Sequence, residues 1–374
     1  MEFGFSKPFR KSKKIKSQTM KILLIIPTLK HGGAERVMSE LANNLNTLGH
    51  QVHLCLLVDN EDFYTIEKGV TIHRLGFENK NSIQKKFSEI KTFFRLRRLM
   101  TKINPDATLS FMDKYNVLTI LASRFLKLKV FVSDRSNPNK TISSNLKLLK
   151  RQTYKHASGI IAQTSLAKEV LFETTKNSNI RVIHNPLKQI KPLPSIQKEK
   201  IILNAGRMVE EKGQKYLIEA FSKLKANDWK LVILGDGKLR PELEKQISKL
   251  NLTHKVLLPG TVQDIDEWMA RSSIFAFPSI SEGFPNALAE AMAFGLPCVS
   301  FNCDAGPSDL INNNKNGYLI GTKDVAALAS KLNELCSNEE LRTKLGNEAK
   351  KISIKLNAKK ITQEYLSFFK QQKT

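Results

Sequence analysis

With 374 residues, 41% of them hydrophobic and 25% charged, the chain is long enough for two domains of ordinary size and has the composition of a soluble globular protein. No apolar run approaches bilayer length, since Ile22–Ile26 stops at Pro27, and the four cysteines (Cys55, Cys298, Cys303, Cys336) form no C-x-x-C pair, so neither a membrane span, a signal peptide nor a metal site is expected. The formal net charge of +25 is uneven: residues 1–195 hold 34 Lys and Arg against 14 Asp and Glu, the remainder 26 against 21, so the first half attracts a polyanion, whether nucleic acid, an anionic lipid surface or a pyrophosphate-bearing substrate.

Residues 1–20 read as a basic lead (Lys7, Arg10, Lys11, Lys13, Lys14, Lys16), either a solvated tail or a contact with a membrane surface. From Lys21 short apolar runs alternate with helical segments. Strands are predicted at 21–26, 51–57, 70–74, 106–111, 129–132, 158–162 and 181–183, with a helix over 34–48. A proline-bearing linker over 188–199 contains Pro192 and Pro194. A second series follows at 200–205, 229–234, 255–258, 273–277, 296–300 and 317–320, each strand leading into a helix. The pattern predicts an α/β protein of two Rossmann-like doubly wound parallel sheets, over 21–187 and 200–350, facing a cleft. The last segment, 351–374, carries a helix expected to pack back on the first domain.

Chemistry-bearing residues recur where strands end. Gly32 and Gly33 follow the first strand and open a helix, a place where backbone N–H groups approach an anion closely. The G-x-G-x-x-G fingerprint is absent there, so no nicotinamide or flavin is implied. Over 84–102, Lys91, Arg95, Arg98 and Lys102 form one helical seam flanked by Phe87, Ile90, Phe94 and Leu99. Such a seam suits a membrane interface or a pyrophosphate, or is a solvated face over the core. Arg207, just past the first strand of the second domain, and Lys212, between Gly206 and Gly213, are two cations suited to a diphosphate. Gly235, Asp236 and Gly237 read as a turn in which Asp236 caps locally, and Leu258, Pro259 and Gly260 close the following strand. Asp264 and Asp266 match D-x-D but sit at a helix start, which favours capping over metal binding. Finally, Glu282 lies in a turn with Gly283 and Phe284, and Glu290 in the helix that opens at Asn286, whose N-terminus suits a phosphate.

In order and context these motifs resemble those of the retaining family 4 glycosyltransferases, which have the GT-B fold; Glu282 and Glu290 match the family's E-x7-E pair. The resemblance covers about residues 21–370 and is strongest over 200–320. The stretches 30–36, 110–114 and 132–138 resemble the branch that extends undecaprenyl-diphosphate-linked oligosaccharides, which includes the polymerising N-acetylgalactosaminyltransferase of bacterial N-glycosylation. The resemblance implies transfer of a hexose or N-acetylhexosamine from a nucleotide-sugar, with UDP-sugar the expected donor, to a lipid-linked oligosaccharide, without cofactor or metal. It also implies that Glu290 holds the ribose, Glu282 the donor sugar, Arg207 and Lys212 the diphosphate, and the backbone at Leu258–Pro259 the base. Asp113 stands where many relatives place a His, either orienting the acceptor or capping locally. A related enzyme's basic helix grips its lipid-linked acceptor, which casts Lys91, Arg95, Arg98 and Lys102 as an acceptor or inner-leaflet contact. The expected location is the cytoplasmic face of the inner membrane, peripherally bound. A nucleotide-sugar epimerase on the same fold, and a basic nucleic-acid-binding protein, are the rival readings; no nucleic-acid module is recognisable.

Overall fold

A computed structural model describes residues 19–30, 32–58, 61–77, 82–188, 190 and 196–371; the basic lead over 1–18 and the linker positions 189 and 191–195 lie outside the described residues. The first domain is a seven-stranded sheet: β1 (Lys21–Ile26), β2 (Gln51–Val58), β3 (Thr71–Phe77), β4 (Ala107–Phe111), β5 (Val130–Ser133), β6 (Gly159–Ala162) and β7 (Ile180–Val182). The second has six: β8 (Ile201–Ala205), β9 (Lys230–Leu234), β10 (Val256–Gly260), β11 (Ile274–Phe277), β12 (Cys298–Phe301) and β13 (Tyr318–Ile320). Strands such as β1, β4, β8 and β11 are buried along nearly their whole length because both faces of each sheet are covered by helices. All pairings are parallel, in the orders β3-β2-β1-β4-β5-β6-β7 and β10-β9-β8-β11-β12-β13.

In each sheet the first strand lies between the second and a later one, β1 between β2 and β4 and β8 between β9 and β11. The connections on its two sides leave in opposite directions, which opens a crevice at the carboxyl ends of these strands. The two crevices face each other. Their loops meet directly: Asn137 Nδ2 donates to Ser281 Oγ at 2.7 Å and Asn139 Nδ2 to Asp304 Oδ2 at 3.0 Å.

The expected strand at 255–258 runs further, to Gly260, through Pro259. A proline lacks the donor an interior strand needs, but β10 is the edge of its sheet and pairs only with β9, with a register shift between Leu257 and Gly260. The third strand also runs past its expected end at Arg74, to Phe77.

The last helix, Ala358–Lys370, leaves the second domain and packs on the first. Phe131 of β5 lies 5.2 Å from the ring of Phe368 and 4.9 Å from that of Phe369, and Arg181 of β7 sits over Phe368 at 4.8 Å. One apolar cluster therefore takes in Leu24 and Val37, Leu203 and Phe275, and Phe368 and Phe369. Phe368→Ala should remove about 3–5 kcal/mol of stability, the usual cost of emptying a buried phenylalanine site, seen as a lowered urea midpoint. A midpoint equal to that of the parent protein would contradict this docking.

Candidate functional site

A cavity of about 560 Å³ lies where the two crevices meet. From the first domain it takes Gly33 at the start of the helix Gly33–Thr47, and Arg135; from the second it takes Arg207, Lys212, Glu282, Gly283, Phe284 and Asn286. The gap between domains is narrow here: a Cβ on Gly33 would lie 3.0 Å from Asn286 Nδ2, and one on Gly283 would lie 2.9 Å from the backbone of Ser136.

Arg207 stands just past β8, after Gly206, and is exposed to the cavity, while Lys212 ends the short turn of 3₁₀ helix Glu210–Lys212. That turn is forced by Gly213, whose φ of +62° puts the backbone against Pro278 O, 2.1 Å from where a Cβ would stand. Lys212 Nζ reaches Glu282 Oε1 at 2.6 Å and lies 5.8 Å from the centre of the Phe277 ring. Glu282 is 9% exposed, so its carboxylate and Lys212 form a largely desolvated pair, and Arg207, which lines the same cavity, has no ion-pair partner among the described residues.

Helix Asn286–Ala293 begins at the cavity, and Asn286 is tied across the cleft: Gln163 Nε2 donates to Asn185 Oδ1 and Asn185 Nδ2 to Asn286 Oδ1, both at 2.9 Å. One turn in, Glu290 faces Arg36 Nη2 at 3.5 Å; Arg36 Nη1 also bonds Glu40 Oε1 at 2.8 Å. Burial opposes the charge on Arg36, but Glu290 and Glu40 more than offset it and its pKa rises. Burial pushes the Glu40 carboxyl up despite Arg36.

The other residues expected to hold the donor flank the cavity instead of lining it. Gly206 N donates to Leu234 O and Gly235 N to Gly260 O, both below the Arg207 loop. Leu258 O accepts from Arg240 Nη2 at 2.9 Å, and Pro259 is exposed beside it. Gly32 is extended and its carbonyl accepts from Tyr64 Oη at 3.0 Å. Asp236 Oδ1 accepts from the Gly237 N–H at 2.7 Å, a local cap. The capping role expected of Asp264 is not made: it precedes the helix Ile265–Arg271 with no side-chain cap bond, and Asp266 pairs with Lys188 at 2.5 Å.

Asp113 falls outside this cavity, in a neighbouring one. It follows Met112, whose φ of +76° is rare for a residue with a side chain, and accepts from Lys150 Nζ at 2.6 Å. Lys150 also pairs with Asp134, and Tyr154 Oη donates to Asp134 Oδ1 at 2.6 Å. Burial raises the Asp134 pKa, with Lys150 opposing the rise. Lys91, Arg95, Arg98 and Lys102 are all exposed on helix Ser82–Ile103, beside Ile90 (57% exposed) and Phe94 (62%). Arg95 Nη1 donates to Leu75 O at 2.7 Å.

Sequence reading missed Arg36, Arg135, Gln163 and Asn185. Arg36 had a signal, since it sits three residues into the helix opened by Gly33. Arg135 falls in the 132–138 stretch without standing out there; its guanidinium lies 3.8 Å over the Phe111 ring and beside the buried Tyr365 hydroxyl. Burial pushes the nearby Cys303 thiol up to about 12, which keeps that sulfur neutral.

The sequence family "Glycosyltransferase Family 4" matches residues 31–188 and "Glycosyl transferases group 1" residues 187–352. The chain is 31% identical to the GalNAc-alpha-(1->4)-GalNAc-alpha-(1->3)-diNAcBac-PP-undecaprenol alpha-1,4-N-acetyl-D-galactosaminyltransferase of Campylobacter jejuni, over 95% of this chain and 99% of that one. It is 27% identical to the amylovoran biosynthesis glycosyltransferase AmsD of Erwinia amylovora, over 88% and 93% of the two chains. Among solved structures, Anabaena HepE in complex with UDP superposes with a TM-score of 0.79 at 20% identity, covering 93% of this chain and 99% of that one, which supports the GT-B fold. Two facing Rossmann-like domains, a cleft between them that carries Arg207 and Lys212, and matches that run the length of both domains agree: the chain belongs to glycosyltransferase family 4.

Proposed function

We propose that this glycosyltransferase moves a hexose or N-acetylhexosamine from a UDP-sugar to a lipid-linked oligosaccharide, with retention at the anomeric carbon, in the assembly of a surface polysaccharide, O-antigen, capsule or glycan. The observation that carries the reading is the cluster of Arg207, Lys212 and the Asn286 helix N-terminus around one cavity, opposite Gly33. A departing nucleoside diphosphate gains negative charge as its bond to the sugar breaks, and fixed cations and N–H groups at that point lower the barrier. The acceptor oxygen bonds to the anomeric carbon as the C–O bond to the diphosphate breaks, and the acceptor proton passes to the departing phosphate oxygen. The full-length similarity to transferases named for undecaprenyl-diphosphate-linked substrates supports the acceptor class.

Glu282 is assigned to the donor sugar, Glu290 to the ribose, Leu258 and Pro259 to the base, and Gly32, Gly206 and Gly235 to the shape of the donor loops. The test is a thermal-shift panel of UDP-, GDP- and ADP-sugars. A shift with UDP-sugars is expected; a response to GDP- or ADP-sugars alone would overturn the donor.

No metal is assigned a role, so EDTA should leave transfer largely intact. Loss on chelation, restored by Mn²⁺, would contradict this and reopen Asp264 and Asp266.

No helix among the described residues is long and apolar enough to cross a membrane. We assign Lys91, Arg95, Arg98 and Lys102, with the exposed Ile90 and Phe94, to the anionic inner leaflet at the cytoplasmic face, where the enzyme meets its acceptor. Each basic residue near such a surface is worth about 1 kcal/mol, so Arg95→Glu with Arg98→Glu should weaken binding to anionic vesicles by roughly tenfold or more, most clearly at low salt. Unchanged sedimentation of the double variant would reduce the seam to a solvated face.

A further inference from the structure

Arg36 stands in the first turn of helix Gly33–Thr47, whose start lines the donor cavity, and its guanidinium is shared by two carboxylates. Nη1 donates to Glu40 Oε1 at 2.8 Å, one turn along the same helix, and Nη2 faces Glu290 Oε1 of the second domain at 3.5 Å. Arg36 and Glu290 are each 13% exposed. The Gly32 carbonyl accepts from Arg36 N and from Tyr64 Oη, both at 3.0 Å, and so fixes the turn that carries this arginine. The short bond to Glu40 holds one arm of the fork, which leaves the other aimed across the cleft.

The contact with Glu290 is longer than a strong charge-assisted hydrogen bond, which measures about 2.7–2.9 Å. As a staple between domains it is weak, and the apolar docking of the last helix already joins them. What it gives is a direction to the Glu290 side chain. That carboxylate makes no other ion pair or hydrogen bond among the described residues, although an ionised carboxylate has about four acceptor sites. A carboxylate steered by a cation at one oxygen, with the rest of its acceptor capacity open, suits two neighbouring hydroxyl donors. The 2′,3′-diol of a ribose is such a pair. In a nucleoside diphosphate the ribose lies next to the phosphates, and Glu290 lies one helical turn past Asn286, which lines the cavity.

We infer that Arg36 is the positioning residue for ribose recognition: it holds the Glu290 carboxylate toward the 2′- and 3′-hydroxyls and so sets how strongly the enzyme selects a nucleotide that carries both. The ribose site is then built from both domains, with Glu40 serving Arg36 and not the nucleotide. This inference rests on the assignment of Glu290 to the ribose and adds the residue that makes that carboxylate selective.

The test is calorimetric titration of the full chain with UDP and with 2′,3′-dideoxy-UDP, which lacks both donors. The parent should bind UDP more tightly by roughly tenfold or more, the usual worth of hydrogen bonds to a charged group. Arg36→Gln should raise the UDP Kd by roughly tenfold and hardly move that of the analogue, so the preference nearly disappears; Arg36→Lys, with the charge but not the fork, should keep part of it. The donor KM should rise in step with the UDP Kd, with kcat at saturating donor within about threefold of the parent, the pattern of a lost binding contact. Arg36→Gln leaves Glu40 and Glu290 facing each other, so Arg36→Gln with Glu40→Gln, which removes one of those charges, keeps the test usable if the single variant fails to fold, and should lose the preference equally. A parent-like ratio of the two affinities in these variants would overturn the inference, as would an equal loss for UDP and the analogue, which is what a purely structural pair gives. Glu290→Gln tests the underlying reading: if it keeps the parent ratio, the ribose assignment itself has failed, whereas a lost preference there and a kept one in Arg36→Gln removes the positioning role alone.

Discussion

Truncating Arg207 to Ala should lower kcat/KM by roughly 30- to 1,000-fold, equivalent to about 2–4 kcal/mol of transition-state stabilisation, with little change in folding stability. Arg207 is exposed to the cleft and has no ion-pair partner among the described residues, so removing it strands nothing. On the proposed assignment, what is lost is a charge facing the departing diphosphate as it becomes more negative. Lys212→Ala should cut activity by a similar factor but also lower the unfolding midpoint. Its partner Glu282, 2.6 Å away and 9% exposed, is left as a desolvated carboxylate without a counter-ion. Parallel kinetics and thermal unfolding of the two variants check this. Activity within a few-fold of the parent protein for both would contradict the diphosphate assignment.

Glu282→Ala and Glu290→Ala should each abolish measurable transfer in a folded protein, and fail for different reasons. Glu282 sits in the turn between β11 and the helix Asn286–Ala293, beside Lys212, where the donor sugar is expected; its loss should appear mainly in turnover or sugar choice. Glu290 lies one turn further along that helix and faces Arg36 of the first domain at 3.5 Å. Its loss should appear as weakened nucleotide binding, with Arg36 left to Glu40 alone. Isothermal titration with UDP, alongside rate measurements, separates the two. Parent-like rates in either variant would remove that carboxylate from the site.

The alternation of apolar strands and amphipathic helices made both sheets legible, because a buried parallel strand and a one-faced helix leave different periods in the sequence. Strand ends were less legible. Pro259 reads as a stop, yet an edge strand needs its donors on one side only, so β10 passes through it. In the site, the residues carried by local motifs, Gly33, Arg207, Lys212, Glu282 and Asn286, come together around one cavity. Those that reach across the cleft were not legible: the Gln163–Asn185–Asn286 relay bonds residues 22 and then 101 apart in sequence, and no spacing rule connects them. Asp113 shows the same limit. Its neighbours Lys150 and Asp134 come from other elements, and only the fold reveals that it belongs to the ion network of the adjoining cavity. Asp264 shows the converse, a residue placed at a helix start whose side chain makes no cap.

The most direct measurement of the central claim is mass spectrometry of products formed when the purified protein is incubated with UDP-sugars and a native lipid extract. The account predicts that a polyprenyl-diphosphate-linked saccharide gains the mass of one or more hexose or N-acetylhexosamine residues, only when donor is present, and that UDP is released in step with each addition. A protein that binds the UDP-sugar and returns it isomerised, with no lipid product gaining mass, would contradict the account.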